Sequence, residues 1–167
     1  MENTKPLEIL KMAILMEKRG YAFYTTVAGQ TEDPGIRNIF MVMADEESRH
    51  IKFLSDQYLH YEKQHAFEKV ALPDLSLEGF ASLILSEEMK ERISASGYEA
   101  AAISAAMEFE NRAIELYSRQ AGTTSDPYEK ALYSWLAEWE KGHLRILSEI
   151  DNELKEKIWN DNNFWPF

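Results

Sequence analysis

Glu47 and His50 stand three residues apart, and so do Glu140 and His143. On a helix, positions i and i+3 share a face, so each pair offers a carboxylate and an imidazole to one ion. A single Glu-x-x-His is weak evidence, because both residues are common on solvated faces. Two at matched places in a repeat are much stronger. The pairs lie 93 residues apart. Sliding the chain by that offset sets Ala13, Glu17, Arg19, Tyr24, Ala28, Gly29, Thr31, Asp33, Pro34, Ala44, Glu47 and His50 on Ala106, Glu110, Arg112, Tyr117, Ala121, Gly122, Thr124, Asp126, Pro127, Ala137, Glu140 and His143. Those are 12 identities in 38 ungapped positions, enough to add Glu17 and Glu110 to the set. Six residues result: Glu17, Glu47, His50, Glu110, Glu140 and His143.

The elements that must position them are helices. Thr4 reads as an N-cap with Pro6 in the first turn. Leu7, Leu10, Ile14, Glu17, Tyr21, Tyr24 and Ala28 then recur at spacings of three and four, one helix face with Glu17 inside its apolar stripe. Gly29 to Asp33 breaks that helix, and Asp33-Pro34 opens the next. Its stripe is Ile36, Phe40, Met43, Glu47, His50, Leu54, Gln57 and Tyr61. The short break makes the two helices antiparallel neighbours. Ser96-Gly97-Tyr98-Glu99 has the spacing of a capping box. The third stripe follows it: Ile103, Ala106, Glu110, Ile114, Tyr117 and Ala121. Gly122 to Asp126 ends that helix. Pro127 starts the fourth, with Tyr133, Leu136, Glu140, His143, Leu147, Ile150 and Leu154. We expect a single all-α domain over 1–167, a four-helix bundle of two antiparallel hairpins at about 5–64 and 97–157. A long crossover at about 65–96 would join them, with a short helix over Leu77–Met89. An aromatic tail at 158–167 would pack on the bundle or on a second subunit.

Composition narrows the chemistry. At 167 residues and 45% hydrophobic content the chain supports one domain with a real core. The net charge of -11 argues against nucleic acid and anionic membrane surfaces as partners. There is no cysteine, which excludes disulfides, zinc ribbons and cysteine-held iron–sulfur clusters. No apolar run approaches the roughly 20 residues of a membrane span, and the acidic, polar start does not resemble a signal peptide. Together these lead us to expect a cytoplasmic protein.

Each of the four helices puts an ionisable group on its core-facing seam. Burying one lone carboxylate costs several kcal/mol, and four together repel. Two divalent cations resolve this: four glutamates against two Fe(II) ions give a neutral core. Mixed carboxylate and imidazole ligation suits iron or manganese. Glu47 and Glu140, each beside a histidine, are the candidates to bridge both ions. Glu17 and Glu110 are the terminal candidates, one per ion. His50 and His143 each take one ion, held from behind by a partner the sequence does not name.

One Glu on each of two helices with Glu-x-x-His on the other two is the ligand pattern of ferritin-like di-iron carboxylate proteins. Within that superfamily, Glu17-Lys-Arg-Gly-Tyr-Ala-Phe-Tyr24 and Ala44-Asp-Glu-Glu-Ser-Arg-His50 resemble the rubrerythrin di-iron domain over about 7–60 and 100–155. The resemblance implies a di-iron oxidoreductase acting on hydrogen peroxide or dioxygen, and a homodimer or higher homo-oligomer. Alternatives are a ferroxidase or iron-storage protein and a di-manganese, catalase-like site. Two departures stand out. Rubrerythrins carry a further glutamate three residues after the third-helix Glu, where this chain has Ala113, and they carry a cysteine-ligated electron relay. Electrons would therefore come from a separate donor protein.

Tyr24 and Tyr117 follow Glu17 and Glu110 by one heptad. They read either as core packing or as hydrogen-bond and electron donors to the centre, and the resemblance favours the second. His60 and His65 lie outside the repeat and read as solvated. Met16, Met41, Met43, Met89 and Met107 read as core filler. Trp135 and Trp139 read as packing, and Asp45-Glu46 as a solvated face beside the ligands or an uptake point for iron.

Overall fold

The computed structural model describes residues 5–73 and 97–161. Four helices account for nearly all of them: α1 Lys5–Gln30, α2 Pro34–Gln64, α3 Gly97–Thr123 and α4 Pro127–Asp161. Among the described residues there is no strand, and no helix is long and apolar enough to cross a membrane. The protein is an all-α four-helix bundle.

The repeat writes the same helix start twice. Asp33 Oδ1 accepts from the backbone N–H of Gly35 (2.8 Å) and Ile36 (2.9 Å), with Pro34 in the first turn. Asp126 Oδ1 does the same for Tyr128 (2.8 Å) and Glu129 (3.0 Å), with Pro127 behind it. These caps satisfy donors that no helix can pair internally. Each hairpin link is only three residues, so α1 packs along α2 and α3 along α4. At the far end of α2, His65 adopts a left-handed conformation (φ 55°) and its N–H closes on Tyr61 O at 2.8 Å.

Two apolar layers flank the middle of the bundle. One joins Tyr24, Val27, Ile36, Phe40, Ile103 and Ile150; the other joins Leu10, Leu54, Tyr61, Tyr117, Tyr133 and Leu136. The second layer gathers the start of α1 and α4 with the ends of α2 and α3. So α2 ends where α3 also ends, and α3 begins at the opposite end of the bundle from the end of α2. Side chains hold the residues that follow α2. Gln57 brackets Glu68, donating to its carbonyl (2.9 Å) and accepting from its N–H (3.1 Å), and Trp135 donates to Pro73 O at 3.0 Å.

Several expectations need correction. Both first helices of the hairpins run on through their glycines, to Gln30 and Thr123. Tyr21 is 42% exposed and leaves the seam. Gly20 takes the inward place beside it, where an added Cβ would lie 2.8 Å from Phe109 and 3.3 Å from the Glu47 carboxyl carbon. Met41 is exposed, whereas Met43 is buried and Met16 and Met107 pack half-buried on the core. Helix α4 continues to Asp161, four residues beyond the expected 157, with Trp159 exposed. Thr4, Ser96, Met89, the Leu77–Met89 helix and residues 162–167 of the tail lie outside the described residues.

Candidate metal centre

Between the two apolar layers, α1 and α3 each contribute one glutamate and α2 and α4 each contribute a Glu-x-x-His. Glu17, Glu47, His50, Glu110, Glu140 and His143 are all at most 1% exposed. They form two overlapping groups. Glu17, Glu47, His50 and Glu140 bring one atom each to within 4.8 Å of one another, and Glu47, Glu110, Glu140 and His143 do likewise. Glu47 and Glu140 belong to both groups.

The histidines present their Nδ1 atoms to the carboxylates. His50 Nδ1 lies 3.1 Å from Glu17, 3.1 Å from Glu140 and 3.8 Å from Glu47. His143 Nδ1 lies 3.0 Å from Glu140, 3.4 Å from Glu110 and 3.7 Å from Glu47. Yet most of these contacts lack hydrogen-bond direction. Both oxygens of Glu47 and of Glu140, Glu110 Oε2 and His143 Nδ1 are buried without a hydrogen-bond partner among the described residues. Native interiors rarely leave buried polar atoms so. Oxygen and nitrogen donors aimed past one another at a common space are what a pair of hard or borderline cations requires. The residues present fit a two-metal centre.

Electrostatics agrees. Burial, then the charges of Glu17 and Glu140, push Glu47 well above the carboxylate range. Glu110 rises to about 8 by burial and by Glu140. Burial opposes charge on both imidazoles, but Glu140 raises His50 and Glu110 raises His143 well above the usual value. Burial would also raise Glu140, but His50 and then His143 hold it low. A cluster whose surroundings favour bound protons is one in which cations can replace them.

The two tyrosines expected beside the centre reach across it. Tyr24 of α1 donates to Glu110 of α3, and Tyr117 of α3 donates to Glu17 of α1. Each hairpin thereby fixes the other's glutamate. Glu46 is the residue that sequence reasoning missed. Asp45 is exposed as expected, but Glu46 is only 6% exposed. Its Oε2 lies 2.6 Å from His143 Nε2 and accepts from Trp139 Nε1 at 3.0 Å. Burial opposes its ionisation, but His143 and Trp139 hold its carboxyl below the usual range. The repeat held a signal for this. Position 46 aligns with Trp139, and a carboxylate matched to a large apolar residue marks a covered site. Trp135 and Trp139 are buried, and both set a ring edge against His50. His60 and His65 stand apart from the centre; His60 is half-buried 3.5 Å from Glu68, and His65 is exposed.

A family model described as rubrerythrin matches residues 8–151, the span from the first turn of α1 into the last third of α4. The chain belongs to the rubrerythrin family. No curated protein and no solved structure matches the chain. The rubrerythrin match covers all six converging residues, Glu46 and both tyrosines. Rubrerythrins generally bind a di-iron centre, and this buried carboxylate and histidine cluster is a possible metal site. At the position of the family's additional glutamate, Ala113 is buried in an apolar layer. A fifth buried carboxylate, Glu46 on α2, stands beside His143.

Proposed function

We propose that the centre holds two iron ions. On this reading the protein is a di-iron oxidoreductase that reduces hydrogen peroxide, or dioxygen, with electrons from a separate donor protein. The observation that carries the reading is the membership of Glu47 and Glu140 in both ligand groups. Two groups sharing two carboxylates describe one binuclear centre, not two separate sites.

In this assignment Glu47 and Glu140 bridge, Glu17 and Glu110 are terminal, and His50 and His143 supply one Nδ1 each. A bound ferrous pair would supply two electrons to one O–O bond and act as a Lewis acid. The remaining work falls to the chain. Tyr24 stays protonated, since burial first and Glu110 second raise it well above its ordinary value. It therefore serves as a donor that holds Glu110 in place, as Tyr117 holds Glu17. Tyr24 and Tyr117 are also the phenols nearest the centre and the candidates to pass an electron or a proton. The layers above and below exclude bulk water. None of the 167 residues is a cysteine, so none of them can hold a cysteine-ligated relay.

Anaerobic loading with Fe(II), followed by stopped-flow mixing, tests the reading. We expect rapid reoxidation by peroxide and slow reoxidation by dioxygen. No reaction with either oxidant would defeat it. Manganese in protein purified from its native cells would favour a catalase-like reaction. A closed shell of many subunits, seen by mass measurement, would favour iron storage.

A further inference from the structure

The repeat makes two copies of one half-site, and the copies differ in what stands behind the histidine. Glu46 and Trp139 occupy equivalent positions, 93 residues apart. Each faces the histidine of the opposite hairpin. Glu46 Oε2 lies 2.6 Å from His143 Nε2. Trp139 meets His50 with its ring plane at 89° and 5.5 Å between ring centres. An indole N–H donates and never accepts, and this one is already given to Glu46. His50 Nε2 is accordingly buried without a hydrogen-bond partner among the described residues. Trp135 closes a further edge at 5.5 Å.

The consequences follow from metal–imidazole chemistry. A carboxylate that accepts a hydrogen bond from the Nε2–H of His143 fixes the tautomer and leaves the Nδ1 lone pair facing Glu110, Glu140 and Glu47. It also makes that nitrogen more basic and adds a negative charge to that side. His50 has apolar ring edges in the same place. They orient its ring but supply neither charge nor an acceptor.

We propose that the two ion positions are unequal. The Glu110–His143 position fills first and holds its ion about 10- to 100-fold more tightly than the Glu17–His50 position. Glu46 is the positioning residue behind the difference, and Trp139 withholds the same help from the other half. The inference rests on the reading of the cluster as a two-ion centre. It makes the Glu17–His50 ion the last to bind and the first to leave.

The test is an anaerobic titration of the full-length apoprotein with Co(II), followed by calorimetry and by the visible absorption of the bound ion. Two like charges sharing Glu47 and Glu140 repel, so two steps alone do not locate the stronger position. Variants locate it. His50→Ala should leave the first step nearly unchanged and abolish the second. His143→Ala should abolish the first step, leaving one ion held about 10- to 100-fold more weakly. Glu46→Gln keeps an acceptor but loses the charge. It should weaken only the first step, by about tenfold, and shift the absorption of the first ion. Equal losses in the two histidine variants, or a first step unmoved in Glu46→Gln, would overturn the inequality while leaving the two-ion centre standing. If Glu46→Gln fails to fold, the order of the histidine variants decides alone. A wild-type protein that binds no Co(II) would overturn the two-ion reading itself, and this inference with it.

Discussion

The two hairpins carry the same ligands and treat them differently. Glu47 and Glu140 are repeat mates, both buried in the shared middle of the centre. Burial and neighbouring carboxylates raise Glu47, while the two histidines hold Glu140 low. Around them, Phe40 matches Tyr133, Val42 matches Trp135 and Glu46 matches Trp139. The second hairpin thus places tyrosine and tryptophan on α4 where the first has Phe40, Val42 and Glu46. The two halves match in the six converging residues and differ in what stands behind them.

The largest test of this comparison separates shared from private ligands. Glu47→Gln or Glu140→Gln should reduce bound metal from about two ions to fewer than one, because each carboxylate serves both positions. Glu17→Gln or Glu110→Gln should leave about one. Metal analysis of the loaded, desalted proteins checks this. Equal losses in all four variants would erase the distinction between bridging and terminal glutamates.

The next effect is on folding. In the apoprotein, Glu110 titrates near 8 instead of at its ordinary 4.5, and Glu47, His50 and His143 are raised as well. The folded chain therefore binds more protons than the unfolded chain through neutral pH, and stability must fall as pH rises through that window. Glu140, held low, acts in the opposite sense only in acid. Urea unfolding of apoprotein should show a loss on the order of a few kcal/mol between pH 5 and 9. Metal-loaded protein should lose this dependence, since cations take the place of the protons. An apoprotein more stable at pH 9 than at pH 5 would contradict the assigned charges.

Much of this was legible because helix periodicity and the 93-residue offset address the same positions. Glu17 and Glu110 are readable only through the repeat, since a lone glutamate in an apolar stripe has no other marker. The cap at Asp33 and the helix start at Pro127 were readable from local chemistry alone. What escaped depends on contact between hairpins. Glu46 sits beside exposed Asp45 and looks solvated on its own helix; Trp139 and His143 of the other hairpin cover it. Tyr21 fits the spacing of the α1 stripe yet is exposed, while its neighbour Gly20 faces inward, where an added Cβ would lie 2.8 Å from Phe109 of α3. A stripe says which way a helix faces, not what the opposite helix brings.

A smaller effect compares the crossed tyrosines. Both Tyr24→Phe and Tyr117→Phe should retain two ions and slow reoxidation. They should differ in the apoprotein. Glu17 keeps a second partner, His50 Nδ1 at 3.1 Å, when Tyr117 loses its hydroxyl. Glu110 Oε2 has none among the described residues, so Glu110 depends more on Tyr24. We expect losses of about 2 kcal/mol for Tyr24→Phe and about 1 kcal/mol for Tyr117→Phe. Thermal melts of the two apoproteins resolve the order, and a larger loss for Tyr117→Phe would reverse the argument.

The smallest effect has the opposite sign. Tyr133 is fully buried and stacks on Tyr117 at 5.9 Å between ring centres, yet its hydroxyl has no partner among the described residues. Burial, and then Glu129, keep that hydroxyl protonated. Its repeat mate Phe40 is equally buried, packs against Tyr24 at 5.8 Å, and has no hydroxyl to satisfy. Tyr133→Phe makes the second hairpin match the first. It removes an unpaired buried group and keeps the stacked ring, so it should stabilise the apoprotein by about 1 kcal/mol, a rise of roughly 2–4 °C for a chain of this size. The reverse change, Phe40→Tyr, should destabilise it. If Tyr133→Phe instead slows reoxidation as strongly as Tyr117→Phe does, the stacked pair belongs to the path that supplies electrons, and the unpaired hydroxyl is retained for the reaction at the expense of the fold.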